Sequence, residues 1–465
     1  MNILVLGGGL TGLSTAYRLS TNGDKVRVIE RQSQVGGLAK SLHYENFVVD
    51  LGPHRFFTKN KSLLEYVVNL TDGCLNEVER KSRIHMLGRF FDYPLKASNA
   101  IFTLPPTDSA RILLDYLFVF ITGKFKTQSD ETFEDWVVNR FGRKLYAIYF
   151  GPYTEKVWGV PPKEISADWA SQRISLTSLW DTIIKTLAPS GQTPRTFTSK
   201  FHYPCSGGIG FISEKFRQAC EKNNVGIELN SEVSSVTTED DKIKLITVLN
   251  ESEEKEYSTD FLFSTIPVTT LVESLNPKPP KPVRKASRGL MYRAIIFCYI
   301  VTKNRISIDD HWIYFPNDNI LFNRLSFPRN FAKNNADFKG DIICAEVTCF
   351  TGDKLWQMDV DELKQKVLDD LYELDFVRKE DVKDFFIHRE EHGYPVYNLA
   401  YQQNLESVLD YLKKFDNLVS AGRNGLFRYN NMDHCIETGF SLAENVALGK
   451  PITSEFILED KAYFG

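Results

Sequence analysis

Residues 2–30 constrain the fold of this chain more than any other stretch, because they predict a strand, a glycine-rich turn, a helix and a second strand in succession. Gly7, Gly9 and Gly12 have the G-x-G-x-x-G spacing, which allows a tight turn and a close approach of the backbone to a pyrophosphate. Glu30 ends the second strand, 18 residues after Gly12, where a carboxylate can accept hydrogen bonds from a ribose diol. The stretch therefore predicts a dinucleotide site, with the phosphates at the N-terminus of the helix.

Composition and charge restrict the class of protein. The chain has 465 residues, 42% of them hydrophobic and 25% charged, as expected for a globular protein of two or three domains. A net charge of −4 argues against general nucleic-acid binding. The seven cysteines are odd in number, scattered and without a C-x-x-C motif. They predict neither a disulfide framework nor a zinc site, and they favour a reducing cytoplasm.

Two stretches bear on membrane attachment. The first strand begins at residue 2, so we expect no signal peptide before it. The apolar run 112–121 is short and interrupted by Asp115, so it predicts a core helix and not a membrane span. We therefore expect no membrane span.

Local signals place several further elements. Thr132 is the predicted N-cap of a helix that ends at Gly142 as its C-cap. Residues 81–94 predict a hairpin that turns at Gly88. Return strands to the nucleotide-binding sheet are expected at 261–267 and 417–421.

Residues 34–41, QVGGLAKS, follow Glu30 closely and resemble the second glycine signature of FAD-dependent flavoproteins of the amine oxidase type. The first glycine motif alone does not distinguish NAD from FAD, and this resemblance implies FAD. The cofactor-binding residues expected in this part of the chain are Gly7, Gly9, Leu10, Thr11, Gly12, Glu30, Arg31, Gly37 and Leu38.

The nucleotide-binding domain is predicted to be discontinuous, because its strands come from distant parts of the chain. The fold class is α/β, with a three-layer Rossmann-like FAD-binding domain, a helical insert and an antiparallel sheet domain for the substrate. The predicted bounds are 1–85, 199–270 and 415–465 for the first domain, 86–198 for the second and 271–414 for the third.

Further blocks resemble UDP-galactopyranose mutase, in particular its eukaryotic-type branch, within the wider superfamily of protoporphyrinogen and amine oxidases. The blocks are DLGPHRFF (50–57), KVWGVPPKEISADWASQRIS (156–175), HWIYFPNDNILFNR (311–324), HGYPVYN (392–398) and AGRNGLFRYNNMDH (421–434). Together with the N-terminal motif they span most of the chain.

The resemblance implies roles for individual residues. Arg324 and Arg423 match two arginines that clamp the diphosphate of a nucleotide sugar, a task that suits the planar and permanently charged guanidinium. Arg173 matches an arginine near the flavin and the sugar, and His54 matches a histidine beside the reactive flavin nitrogen. The other substrate-binding matches are Tyr93, Trp158, Trp312, Tyr314, Tyr394 and Tyr429. The other cofactor-binding matches are Gly52, Gly422, Asn431, Met432 and Asp433.

From the residues alone, other roles stay open. Trp158 and Trp312 suit a hydrophobic core as well as a ligand shelf, and His54 can simply pack beneath a turn. His392 and His434 lack metal-ligand spacing, so no metal site is expected.

The chain also departs from the mutase pattern. Leu95 and Lys96 stand where the family has phenylalanine and glutamine at the nucleobase, and Thr198 stands where an asparagine is expected near the sugar. Phe331 replaces a tyrosine near the phosphates, and Arg55 an apolar residue after His54. The base and the sugar therefore stay open.

The resemblance implies a flavin-dependent nucleotide-sugar mutase that interconverts pyranose and furanose forms for the synthesis of surface polysaccharides. In that family reduced FAD is the nucleophile on the anomeric carbon, the reaction has no net redox change, and NAD(P)H would reduce the flavin. The alternative is an FAD-dependent oxidoreductase of the protoporphyrinogen or amine oxidase type. An amine or a hydrophobic substrate would give no reason for two arginines and several tyrosines to converge. The expected partner is a nucleotide sugar and not a nucleic acid, and homo-oligomerisation stays open.

Overall fold

The computed structural model describes residues 1–93, 104–123, 130–173, 200–250, 253–332, 335 and 337–450. The chain divides into two compact units. Unit 1 comprises Met1–Glu77, His202–Met291 and Ala400–Phe464, and unit 2 is formed by Val78–Phe201 with Tyr292–Leu399. Segments assigned from the sequence to a helical insert and to a sheet domain thus share unit 2, while the three-domain division itself stays a prediction.

The helices of the described ranges are, in chain order, α1 (Leu10–Thr21), α2 (Lys61–Leu70), α3 (Pro106–Gly123), α4 (Phe133–Phe141), α5 (Arg143–Leu145), α6 (Gly151–Trp158), α7 (Ala167–Arg173), α8 (Gly210–Lys222), α9 (Val268–Ser274), α10 (Lys281–Arg288), α11 (Lys354–Gln357), α12 (Val360–Glu373), α13 (Tyr401–Leu412), α14 (Gly422–Gly425) and α15 (Met432–Ala447). A π-helical turn at Tyr146–Phe150 leads into α6, and short 3₁₀ turns lie at Pro162–Glu164, Pro328–Asn330 and Lys379–Asp381.

The strands of the same ranges are β1 (Asn2–Leu6), β2 (Lys25–Ile29), β3 (Ser41–Tyr44), β4 (Phe47–Asp50), β5 (Leu75–Glu79), β6 (Ser82–Met86), β7 (Arg89–Asp92), β8 (Lys200–Pro204), β9 (Gly226–Glu228), β10 (Ser231–Glu239), β11 (Lys242–Asn250), β12 (Glu253–Ser258), β13 (Phe261–Ser264), β14 (Leu275–Asn276), β15 (Tyr292–Thr302), β16 (Trp312–Tyr314), β17 (Arg324–Ser326), β18 (Asp341–Cys349), β19 (Val382–Pro395) and β20 (Leu418–Ser420).

Unit 1 is built on a parallel sheet whose strand order, in the described residues, is β20-β13-β1-β2-β9. Leu6 at the end of β1 pairs with Ile29 of β2 on one side and with Ser264 of β13 on the other. Because the carboxyl ends of parallel strands share one edge, the segments after β1, β2, β13 and β20 converge there. The prediction of an α/β fold with a discontinuous nucleotide-binding sheet is confirmed.

Helix α1 leaves this edge and packs closely against α15. A Cβ atom added to Gly439 of α15 would lie 2.0 Å from Ser14 Oγ of α1 and 2.8 Å from the Thr11 carbonyl oxygen. Since no side chain fits there, the glycine sets the close approach of the two helices. The middle of α15 is thereby held against the first half of α1.

Unit 2 contains a mainly antiparallel sheet of strand order β19-β15-β18-β17-β16-β6-β7. Strand β18, the third in this order, is buried at every position, and α12 covers the same core with Leu363, Val367 and Leu371. The pairing of β17 with β16 and β18 brings Arg324 opposite both Tyr314 and Glu346.

Two local predictions are confirmed within unit 2. The Thr132 hydroxyl accepts a hydrogen bond from the Asp135 amide, the Asp135 carboxylate accepts from the Thr132 amide, and Gly142 ends the helix with φ +86°. The hairpin of β6 and β7 turns at Gly88, which has φ +70°.

The prediction that residues 112–121 form a core helix is wrong. They lie in α3, where Tyr116 is buried but the side chains of Leu114, Phe118 and Ile121 are 67%, 66% and 61% exposed. Apolar residues lie on several faces of this helix, so the sequence pattern could not tell which face meets the core. In the part of the chain that the structure describes, no helix is long and apolar enough to cross a membrane.

The expectation that the cysteines form no disulfide is also wrong. Cys74 and Cys205 are joined in unit 1, with their Cα atoms 5.2 Å apart, within the range that a disulfide requires. The two residues are 131 positions apart in the chain, so only the fold shows that they meet.

Candidate active site

The glycine-rich turn after β1 is shaped to hold a ligand against main chain. Gly7 has φ +97°, and a Cβ atom on Gly12 would lie 2.0 Å from the Gly7 carbonyl oxygen, so neither position accepts a side chain without strain. A Cβ atom on Gly9, in contrast, would meet nothing within 4 Å. Gly9 precedes α1 as an N-cap without a side-chain hydrogen bond, so open space lies beside the start of a 12-residue helix. That arrangement suits a phosphate group.

The second glycine pair completes this wall. The Gly36 amide donates to the Gly8 carbonyl at 2.8 Å, and Gly9 bridges to Gly36. Gly36 and Gly37 have φ +111° and +57°. We call Gly7, Gly9, Gly12 and Gly36 the glycine cradle.

Glu30 lies at the edge of the glycine cradle. Its Oε2 accepts a hydrogen bond from the Gly8 amide at 2.7 Å, and its Oε1 accepts one from the Gln32 amide at 2.8 Å. Burial raises the pKa of the Glu30 carboxyl, while the two amides and Lys40 act to lower it. The carboxylate is therefore fixed by main chain, and each oxygen keeps a further lone pair with which to accept from a ribose hydroxyl.

The segment before α15 contacts the start of α1. Gly422 has φ +77°, and a Cβ atom there would lie 2.9 Å from Thr11 Oγ1. Arg423 lies over the Tyr429 ring at 4.2 Å, and its Nη1 donates to the Asn430 carbonyl at 2.8 Å. Asn431 is the N-cap of α15, followed by Met432 and Asp433, which are buried. The structure thus brings these predicted cofactor residues beside Thr11 within unit 1.

Gly52 and His54 form a tight bend. The His54 amide donates to the Gly52 carbonyl at 2.8 Å, and Gly52 has φ +77°. Just before the bend, the buried Asp50 accepts hydrogen bonds from Ser41 Oγ and Tyr203 Oη at 2.6 Å and from the Ile209 amide at 3.0 Å. Burial raises the pKa of the Asp50 carboxyl to about 6.

Arg324 is anchored in unit 2 by a carboxylate that sequence reasoning missed. Its Nε and Nη2 donate to Oε1 and Oε2 of Glu346, both at 2.6 Å, and the Glu346 side chain is only 1% exposed. Burial acts to lower the pKa of Arg324, but the attraction of Glu346 raises it well above its usual range. Among the described residues Nη1 has no hydrogen-bond partner, so this guanidinium edge is left for an anion.

Tyrosines surround Arg324. Tyr394 Oη lies 3.4 Å from Nη2, and the Tyr314 ring centroid lies 5.9 Å from Cζ. Tyr153 packs edge-on against Tyr314 with ring centroids 5.7 Å apart. Burial raises the pKa of Tyr153 well above the usual value, so its hydroxyl stays neutral. We call Arg324, Glu346, Tyr314, Tyr394 and Tyr153 the arginine–tyrosine cluster.

A second arginine of unit 2 lies close to this cluster. Arg80 lies 5.6 Å from the Tyr93 ring centroid, and its one hydrogen bond within the described residues goes to the Tyr93 carbonyl at 3.3 Å. Tyr93 in turn packs edge-on against Tyr314 at 4.9 Å. Burial lowers the pKa of Arg80. The position of Tyr93 in the sequence gave no indication of this arginine.

The two tryptophans differ in their surroundings. Trp158 is buried, with its ring centroid 4.5 Å from Trp169 and 5.8 Å from Tyr394, so it lies beside the arginine–tyrosine cluster. Trp312 is fully buried and packs against Phe331 at 6.3 Å. A substrate contact for either ring stays a prediction.

Several predicted residues are not placed by the structure. Leu95, Lys96 and Thr198 lie outside the described residues, and only the backbone of Arg173, the last residue of α7, is described. Arg324 belongs to unit 2 and Arg423 to unit 1, and their joint action on one diphosphate stays a prediction. Over the described ranges, no cluster of three or more histidine, cysteine or acidic residues could hold a metal ion.

Comparison with known proteins identifies the family. The model of the family described as flavin containing amine oxidoreductase matches residues 10–447. The chain belongs to this family. Membership implies FAD, and the glycine cradle fits that cofactor because it leaves open space at Gly9 beside the start of α1. The predicted flavoprotein superfamily is thereby confirmed.

Individual relatives include sugar mutases. The chain is 30% identical over 173 residues to a probable UDP-galactopyranose mutase of Klebsiella pneumoniae, a stretch that covers 36% of this chain and 43% of that protein. It is 25% identical over 172 residues to the dTDP-fucopyranose mutase of Escherichia coli, covering 36% and 44%. The match thus spans less than half the length of these curated relatives, and it confirms the resemblance to UDP-galactopyranose mutase.

Solved structures show the same fold. A reduced UDP-galactopyranose mutase superposes with a TM-score of 0.85 at 24% identity, covering 100% of this chain and 99% of that one. A putative protoporphyrinogen oxidase from Exiguobacterium has a TM-score of 0.73 at 16% identity, covering 97% and 99%. At these identities the likeness concerns the fold.

Proposed function

We propose that this protein is a flavin-dependent nucleotide-sugar mutase that interconverts pyranose and furanose forms of its substrate. The observation that carries the proposal is the arginine–tyrosine cluster. Glu346 occupies the Nε–Nη2 edge of Arg324, and within the described residues Nη1 is left without a hydrogen-bond partner beside the tyrosines of the cluster. A fixed guanidinium with a free edge suits a diphosphate and has no evident use for an amine or a hydrophobic substrate.

FAD, when bound, supplies in its reduced form a nucleophile for the anomeric carbon. The residues of this chain have the remaining tasks. The glycine cradle and Glu30 would hold the pyrophosphate and the ribose of the cofactor, and His54 and Asp433 would contact the flavin. Arg324, with Arg423 as the second expected arginine, retains the departing nucleotide diphosphate so that it is in place for return.

The substrate is a sugar bound to a nucleoside diphosphate. Leu95 and Lys96 differ from the mutase pattern at the expected base, so we propose that UDP-galactopyranose is not the exclusive substrate. The dTDP-fucopyranose mutase among the relatives supports a broader class of nucleotides and sugars. We further propose NAD(P)H as the reductant and a role in surface polysaccharide synthesis.

The experiment is a screen of UDP- and dTDP-sugars with dithionite-reduced enzyme, in which product ring form is determined by NMR. The proposal predicts a furanose product from at least one pyranose substrate. If no nucleotide sugar rearranges and an amine or a porphyrinogen is oxidised, the enzyme is instead an oxidoreductase of the wider superfamily.

A further inference from the structure

Lys156 on α6 reaches into the loop that joins β16 to β17. Its Nζ donates to the carbonyl oxygens of Phe315 at 3.0 Å and Asn317 at 2.7 Å. The side chain is largely buried, and among the described residues it forms no ion pair within 4.0 Å. A partly buried ammonium that donates hydrogen bonds to two carbonyls of one loop fixes the path of that loop.

The same loop is also held by a carboxylate. Asp370 of α12 accepts a hydrogen bond from the Leu321 amide at 2.6 Å. The loop closes at its base, where the Phe315 amide donates to the Asn323 carbonyl at 2.9 Å. Its flanking residues are Tyr314 and Arg324, the two members of the arginine–tyrosine cluster that pair across β16 and β17.

The backbone of Lys156 is fixed independently of its amine. Thr348 Oγ1 donates to the Lys156 carbonyl at 3.0 Å, and Arg293 Nε donates to the Val157 carbonyl at 3.0 Å. A Cβ atom on Gly159, which has φ +67°, would lie 2.3 Å from Arg293 Nη1, so helix and sheet are packed closely here. Removing the amine should therefore act on the loop and leave α6 in place.

We propose that Lys156 is a positioning residue that holds the loop 315–323, and through it Tyr314 and Arg324, in the conformation that binds a nucleotide diphosphate. This inference rests on the proposed function, because it assigns the nucleotide to the arginine–tyrosine cluster. Lys156 touches the loop and acts through Arg324.

The charge on Lys156 makes its hold on the loop 315–323 sensitive to pH. Burial lowers the pKa of the Lys156 amine to about 7, while Asp318 of the loop and Asp370 of α12, the acids that face it, act to raise it. Below this pH the ammonium makes charge-assisted hydrogen bonds to the two carbonyls, and above it the neutral amine makes weaker ones. Nucleotide affinity should therefore decrease as the pH rises through about 7.

The test uses UDP-galactopyranose, whose diphosphate diester does not titrate in this range, and measures its dissociation constant by flavin fluorescence from pH 6 to 8.5. We expect a several-fold loss of affinity in the wild type over this range. Lys156→Arg should bind at all pH values as the wild type does at pH 6, because a guanidinium stays charged. Lys156→Met should lose about tenfold in nucleotide affinity at pH 6. The matched control is Lys163→Met, which changes an exposed lysine just beyond α6.

Flavin content and thermal unfolding show whether each variant folds, and hydrogen exchange of the Phe315 and Leu321 amides reports on the loop itself. Lower protection of these amides in Lys156→Met, and in the wild type at pH 8.5, supports the proposal. Wild-type affinity in Lys156→Met, or an unchanged pH profile in Lys156→Arg, overturns it. If Lys156→Met does not fold, the Lys156→Arg profile decides. If the wild type binds no nucleotide sugar, the proposed function fails, and loop protection alone decides whether Lys156 positions the loop.

Discussion

The glycine cradle of unit 1 and the arginine–tyrosine cluster of unit 2 are built in opposite ways. The cradle is made of main chain, and its selectivity comes from side chains that are missing, as the open space at Gly9 shows. The cluster is made of side chains, and its central group is a guanidinium held by a buried carboxylate, Glu346. A site made of main chain, such as the cradle, should lose ligand binding when atoms are added to it. A site made of side chains, such as the cluster, should lose ligand binding when a charge or a hydroxyl is removed.

The largest effect is expected from adding atoms to the cradle. Gly12→Val places its Cβ atom 2.0 Å from the Gly7 carbonyl, which neither helix nor turn can accommodate, so bound flavin should be almost completely lost. Gly9→Ala is the matched control for folding, because its Cβ atom meets no protein atom within 4 Å. Flavin-to-protein ratios and thermal unfolding of the apoproteins measure both variants. If Gly9→Ala keeps full flavin affinity, the pyrophosphate does not lie beside Gly9.

Titration of a buried carboxyl in unit 1 would sharpen the comparison of the two regions. It should change the stability of the fold and not the binding of the nucleotide. The pKa of Asp50 is raised from 3.8 to about 6, so the folded protein binds a proton more tightly than the unfolded chain. Its contribution to stability is full below about pH 3.8 and is lost as the pH rises through about 6. The free energy of unfolding of the wild type should therefore decrease over this range by roughly 3 kcal/mol at most. Asp50→Asn, which has no carboxyl at this position, should not show this decrease. Urea unfolding from pH 4 to 7.5 tests this, and parallel curves for the two proteins would contradict it.

Removing the guanidinium from the cluster should weaken nucleotide binding and leave flavin in place. Arg324→Ala and Arg423→Ala should each cost about 1.5–3 kcal/mol, or roughly ten- to a hundredfold in nucleotide affinity. Flavin content should be unchanged in Arg324→Ala, and somewhat lower in Arg423→Ala, whose loop lies beside Thr11. Lysine should rescue only in part, because its ammonium cannot reproduce the planar fork of parallel donors that a guanidinium presents.

Arg378→Ala, an exposed arginine of unit 2, serves as the control in the same nucleotide titration by flavin fluorescence. Wild-type affinity in both Arg324→Ala and Arg423→Ala would remove the diphosphate site, and with it the contrast between the two regions.

The smallest effect is expected from a single hydroxyl of the cluster. Tyr394→Phe removes the oxygen 3.4 Å from Arg324 Nη2 and should weaken nucleotide binding by about 0.5–1.5 kcal/mol, a few-fold to tenfold. Tyr411→Phe on α13 of unit 1 is the control. An effect of Tyr394→Phe as large as that of Arg324→Ala would show that the hydroxyl, and not the cation, dominates the cluster.

The contrast also explains what the sequence could and could not predict. The glycine cradle is local, so the spacing of Gly7, Gly9 and Gly12 was enough to place it. Glu346 lies 22 residues from Arg324, and the carbonyls that Lys156 binds lie 159 and 161 residues away. No short-range sequence pattern predicts partners that lie so far apart along the chain.

Resemblance to a family supplied Arg324, Tyr314 and Tyr394, because it transfers positions along the chain. It did not supply Glu346 or Arg80, whose importance lies in burial and in the hydrogen bonds that they make. The exposed face of α3 and the Cys74–Cys205 disulfide were missed for a related reason, since both depend on which surfaces the fold brings together.

The central claim is that the two regions serve one redox-neutral rearrangement of a nucleotide sugar. The most direct measurement is the number of product molecules formed per molecule of reductant consumed, with enzyme reduced once under anaerobic conditions and the product ring form determined by NMR. Our account predicts many turnovers to a furanose product for each equivalent of reductant. Oxidation of a substrate with one peroxide formed per turnover, and no furanose product, would contradict it.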